Sequence, residues 1–175
     1  ADNTAYVGDP SDAVVHDVWD SHFCLVTHMQ DDPDTSHVRD STVEANDGTK
    51  LGANEPIEAA GLIGKAQNFD GVDDYVDCGN GVSISAPYAV EGRVKIPVNP
   101  DTEDRDLIDF GTGIGDFPKF SPHFWSSNKP IIYLARTNYK YGTSNLADDQ
   151  WHYIVFIVTR DGINDIDNAK IYVDG

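Results

Sequence analysis

The chain has 175 residues, and its 12 basic against 30 acidic side chains give a formal net charge of −18. Asp supplies 25 of the acids and Glu only 5, which points to turns and hard-oxygen chemistry rather than acidic helices. A surface this acidic repels phosphate, so nucleic acid is excluded as a partner, and the same charge keeps a protein soluble in salty or extracellular water.

Hydrophobic residues at 39% and aromatics at 10% fit a globular chain with one core. No run of 18 apolar residues occurs, so no membrane insertion is expected. Cys24 and Cys78 form no Cys-x-x-Cys metal pair. They read either as a disulfide of an exported protein or as two small buried hydrophobes, and the second is the expectation.

Taken in chain order, residues 1–17 carry no clear pattern. The run from Phe23 to Met29 reads as a strand, ended by the polar 30-QDDPDTS-36. Asp74 to Cys78 alternates, with Val76 and Cys78 on one face and Tyr75 and Asp77 on the other. From Ala89 to Ile96, Val90, Val94 and Ile96 point one way while Glu91, Arg93 and Lys95 point the other. Leu107–Phe110 and Pro130–Ala135 are further strands. Trp151–Thr159 is apolar on both faces, which predicts burial on both, and Lys170–Val173 follows. Short strands separated by Gly, Asp and Asn turns predict an all-β chain, an antiparallel two-sheet sandwich or jelly roll.

The order of these pieces resembles the laminin-G-like jelly rolls of the concanavalin A-like lectin and glucanase superfamily. Four stretches carry the likeness: 28-HMQD-31, 40-DSTVEANDGT-49, 64-GKAQNFDGVDDYVDCG-79, and 150-QWHYIVFIV-158 with 171-IYVDG-175. Upstream, 6-YVGDPSD-12 and 18-VWDSHF-23 resemble the junction with a secreted domain of unknown function. The resemblance implies a tail of that domain or a linker over 1–17, and a jelly roll over 18–175 that lacks its closing strands. It also implies an extracellular or cell-surface location. Arg93 departs from the family, which often has an aromatic there. A sheet left unfinished at its end would pair with a partner chain or a second copy.

Two acidic loops are candidate cation sites. In 70-DGVDDY-75, Asp73 and Asp74 either hydrogen-bond backbone amides of a turn built on Asp70-Gly71 or serve as hard oxygen ligands. In 40-DSTVEANDG-48, Asp40, Asn46 and Asp47 bracket a loop, and the resemblance implies a structural Ca²⁺ near it. Such an ion would clamp loops without catalysing.

Catalysis is not expected. The Glu residues, at 44, 55, 58, 91 and 103, match no Glu-x-Asp-x-Glu glycosidase strand, the six His make no metal spacing, and Gly-x-Ser-x-Gly is missing. Binding has a better candidate in 117-FPKFSPHFWSSNKPIIYLARTNYKY-141, which crowds seven aromatic residues together with Asn and Arg. Sugar C–H faces stack on rings while Asn and Arg meet hydroxyls. A strand exposes only alternate positions, so Trp125, Tyr139 and Tyr141, with Arg136 and Asn138, are the expected carbohydrate contacts. Trp151 is assigned to the core. The resulting expectation is a non-catalytic module that recognises a glycan or other surface polymer. Its rival is an adhesive spacer that binds protein through a sheet edge.

Overall fold

The computed structural model describes residues 18–82, 84–98, 105–111, 118–123, 127–135, 138–159 and 166–175. They are all-β and antiparallel in every named strand pair, with no α-helix among them. The chain divides into two compact units at Ile84/Ser85.

The first unit contains β1 (Thr27–Asp31), β2 (His37–Asp40), β3 (Gly48–Leu51), β4 (Ile57–Ala60), β5 (Lys65–Asn68) and β6 (Tyr75–Asp77). Four of these make a sheet in the order β1-β2-β3-β6, and β4 pairs with β5. The strand expected from Phe23 begins instead at Thr27. Val26 donates its N–H to Asp40 Oδ1 and accepts from Ser41 N–H, which ties the preceding segment to a loop. The β1–β2 register slips between Thr27 and Asp31, where Met29 takes φ 53°. β6 alternates as expected, Val76 half-buried between exposed Tyr75 and Asp77. Gly48 has a steric reason: a Cβ there would overlap Val76 Cγ1 and lie 2.8 Å from Val38 Cγ2. The buried side chains of this unit are largely polar, with Asp40, Ser41, Thr42 and Lys50 beside Val38.

The second unit contains β7 (Tyr88–Lys95), β8 (Ile108–Asp109), β9 (Lys119–Ser121), β10 (Ile131–Ala135), β11 (Asn138–Tyr141), β12 (Trp151–Val158) and β13 (Lys170–Val173). One helical turn, Ile166–Asn168, precedes β13. Two sheets result, β11-β10-β9-β8 and β13-β12-β7. Phe120, Ile132 and Leu134 of the first meet Ile154, Phe156 and Val158 of the second in one apolar core, closed by Leu146 and Ala169. Phe120 lies edge-on to Tyr88 and Phe110, with its centroid 5.6 Å from that of Phe156. Each fully buried side chain of this size contributes about 1.5–3 kcal/mol.

β12 is central, between β7 and β13, but its two faces differ, against the expectation of burial on both. Ile154, Phe156 and Val158 are buried, whereas Tyr153, Val155 and Ile157 are only half-buried. Tyr153 shows how the outer face stays partly wet. Its hydroxyl donates to Glu91 at 2.6 Å, and Arg93 of β7 lies 5.4 Å from its ring centroid. Trp151 is also half-buried and belongs to this outer face rather than to the core.

Candidate functional site

β11 has the sequence Asn-Tyr-Lys-Tyr, and period-two alternation sets Tyr139 and Tyr141 on one face. Both rings are exposed, at 46% and 43%. Antiparallel pairing places Tyr133 of β10 directly opposite Tyr139. The ring centroids of Tyr133 and Tyr139 are 5.2 Å apart, and those of Tyr139 and Tyr141 are 5.7 Å apart, so the three form one aromatic surface. Lys140, between the two exposed tyrosines, turns to the other side. Its Nζ donates to the carbonyls of Asp167 and Ala169 at 2.9 and 2.7 Å, anchoring β11 to the helical turn.

The surface continues across the sheet. Tyr133 pairs with Lys119 of β9, and Lys119 with Asp109 of β8, so Asp109, Lys119, Tyr133 and Tyr139 form one cross-strand row. Three inter-strand steps make it about 14 Å long. The Lys119 ammonium lies 2.6 Å from Asp109 Oδ2 and 3.7 Å from Asp106 Oδ2. Desolvation raises the Asp106 carboxyl above its usual range, opposed by the Ser121 hydroxyl and by Lys119. An oligosaccharide can lay its C–H faces on such rings and offer hydroxyls to the adjacent ammonium and carboxylates.

Of the expected sugar contacts, Tyr139 and Tyr141 stand together, while alternation turns Asn138 toward the side of Lys140. Trp125 and Arg136 lie outside the described residues. Sequence reasoning missed Lys119, Asp106 and Asp109. β8 and β9 are two and three residues long, too short to show a period that would have placed them.

The expected cation ligands divide into two groups. Asp40 is buried, and its Oδ1 accepts from the N–H groups of Val26 and Thr42 at 2.9 and 3.0 Å. Its Oδ2 accepts from the Thr42 hydroxyl and the Asn46 N–H at 2.7 and 3.0 Å. Asp47 Oδ1 accepts the Asp40 N–H, and Asn46 donates its amide to the Cys24 carbonyl. Protein donors therefore fill Asp40, which fits a loop clamp better than a metal ligand. Asp70, Asp73 and Asp74 fit better, each offering a carboxylate oxygen within 4.8 Å of the others. They also build the turn. Asp70 Oδ1 accepts Val72 N–H, Asp74 Oδ2 accepts Asp70 N–H, and Asp73 Oδ1 accepts Ala53 N–H. Three oxygens fall short of the six to eight that Ca²⁺ takes, so water or carbonyls would have to complete such a shell. This turn links β5 to β6, which belong to different sheets.

Cys24 and Cys78 are free thiols. Burial, with the nearby Asp40, Asp77 and Asp47 carboxylates, pushes the Cys78 thiol up to about 11, so it is no nucleophile at neutral pH. His152 lies between two carboxylates, Nδ1 at 2.8 Å from Asp174 and Nε2 at 3.0 Å from Asp148. Those contacts, Asp174 first, raise its pKa against a smaller opposing effect of burial.

Compared with known protein families, characterised proteins and solved structures, the chain matches none.

Proposed function

We propose that this chain is a non-catalytic, carbohydrate-recognising module of an exported multidomain protein, built as a laminin-G-like jelly roll. Its contact surface is the row of Tyr139, Tyr133, Lys119 and Asp109 with Tyr141 beside it. The observation that carries this reading is the pair of exposed tyrosine rings, in contact on one face and next to a charged row. Exposed rings in contact supply stacking area at little entropic cost, since each has two rotatable side-chain angles. The row is long enough for several sugar units, so the preferred ligand is a polymer rather than a free monosaccharide. The fold reading draws on the four resembling stretches and the antiparallel strands; function rests on the site, because fold alone does not fix it.

The test is affinity electrophoresis of the full chain through gels containing soluble polysaccharides, with Tyr139→Ala and Tyr141→Ala as comparisons. Retardation by at least one polysaccharide, lost or weakened at least tenfold in each variant, is the expected result. Retardation that both variants retain sinks the proposal.

A second reading has its own observation: among the described residues β13 and β7 each have a partner on one side only, so the three-stranded sheet offers two edges for strand addition. An adhesive module would use them to bind protein. Size-exclusion chromatography giving a stable dimer, together with no polysaccharide retardation, would favour this reading.

A further inference from the structure

The first unit carries an open cleft of about 250 Å³ whose lining differs in kind from the tyrosine surface. Asp31, Thr35, Lys50, Asn54 and Glu55 supply polar walls, and Pro56 and Ile57 an apolar one. The Lys50 side chain is 1% exposed. Its ammonium meets two acceptors, Asp31 Oδ1 at 2.7 Å and Gln67 Oε1 at 3.2 Å. An ammonium carries three N–H donors, so one is left for an acceptor other than these. Taking such a charge out of water is expensive, and leaving one of its donors unmatched adds to the cost.

Acceptors with spare capacity line the same space. Asp31 spends Oδ1 on Lys50 and Gln67, and Glu55 spends Oε1 on the Ser36 hydroxyl. The second oxygen of each accepts no hydrogen bond from the described residues. Glu55 also sits at φ 40°, a left-handed conformation that costs a non-glycine residue about 1–2 kcal/mol. Side chains held in this way cluster at ligand clamps.

The charges narrow the ligand. Asp31, Glu55 and Glu58 oppose Lys50, and Glu58 is further paired with Lys65. The remaining excess of carboxylate rejects an anion, and the Lys50 ammonium, already matched in charge by Asp31, leaves one N–H for a neutral acceptor. A neutral hydroxyl satisfies both sides, donating to a carboxylate and accepting from Lys50. The C–H face of a ring can lie on Ile57, which is exposed.

We propose that this cleft binds a single neutral sugar ring. The proposal shares its ligand class with the tyrosine surface but none of its residues, and it stands or falls separately. The experiment is saturation-transfer NMR on the full chain with glucose, galactose, mannose and N-acetylglucosamine. Glucuronate and glucosamine serve as charged comparisons. Lys50 is too buried to replace safely, so the diagnostic variant is Ile57→Trp. Ile57 is 65% exposed, and a larger side chain there obstructs the cleft without touching Lys50. Asn54→Ala is the second variant. At least one neutral sugar should bind, with affinity reduced at least tenfold by Ile57→Trp and reduced by Asn54→Ala. Binding of no neutral sugar, binding of a charged sugar alone, or binding that Ile57→Trp leaves intact overturns the assignment. Loss with Tyr139→Ala but not with Ile57→Trp overturns it too, while leaving the tyrosine surface standing.

Discussion

Replacing Asp40 by Asn separates a loop clamp from a metal ligand. The buried carboxylate accepts from four protein donors, two on each oxygen. Asn keeps the shape, removes the charge and sets an NH₂ group against the two donors of one side. On the Oδ2 side the Thr42 hydroxyl can rotate to accept, but the Asn46 N–H cannot. A hydrogen bond to a charged group contributes about 1.5–3 kcal/mol, and a buried donor left unmatched costs about 1–3 kcal/mol. With the hydroxyl relaxing, the expected loss is about 3 kcal/mol, a large share of the ~5–15 kcal/mol that holds a domain folded. Native-state hydrogen exchange at the Val26, Thr42 and Asn46 amides reads it directly, once with added calcium and once with a chelator. The opening free energy should fall by the same amount in both. A loss confined to the calcium sample would make Asp40 a metal ligand and refute the clamp. So would a loss below about 1 kcal/mol in both samples.

Two further outcomes follow from the second unit. His152, raised above its usual 6.5, contributes stability that is full below that value and is lost as pH rises through the folded pKa. Asp148 and Asp174, held below 3.8 chiefly by the His152 contact, contribute above that value and lose it as pH falls through their folded pKa values. Arg93 lowers Asp174 slightly as well. The cluster therefore stabilises most between about pH 4 and 6.5. Thermal midpoints at about pH 6 and about pH 9 should show a decline that His152→Gln abolishes; an equal decline in that variant would remove His152 as its source. Lys140→Met, which deletes two charge-assisted bonds to backbone carbonyls, should cost about 1.5–3 kcal/mol in urea unfolding. An unchanged midpoint would mean that Lys140 does not anchor β11.

Long alternating runs are legible in the sequence alone. Residues 89–96 alternate with period two and 151–158 form a continuous apolar run, and β7 and β12 lie there. The pairing of Tyr139 with Tyr141 on one face is equally local, since positions two apart in a strand must share a side. Phe23–Val26 misleads because apolar character speaks for a strand, while its backbone groups are spent on turn and loop partners, Phe23 on Asp20, Cys24 on Asn46 and Val26 on Asp40 and Ser41. For β12, hydrophobicity on both faces does not reveal that one face is left half open, with Arg93 and Glu91 beside it.

The amino-acid order by itself determined the all-β character, the acidic turns and which side chains share a strand face, because alternation and turn chemistry act between near neighbours. Only the tertiary structure decided that Lys119 and Asp109 join the tyrosines across four strands. The same is true of the burial of Lys50 beside Asp31, and of the filling of Asp40 by donors as far along the chain as Val26. Those outcomes depend on which strands pair and in what register, and hydrogen bonds between residues distant in sequence settle both.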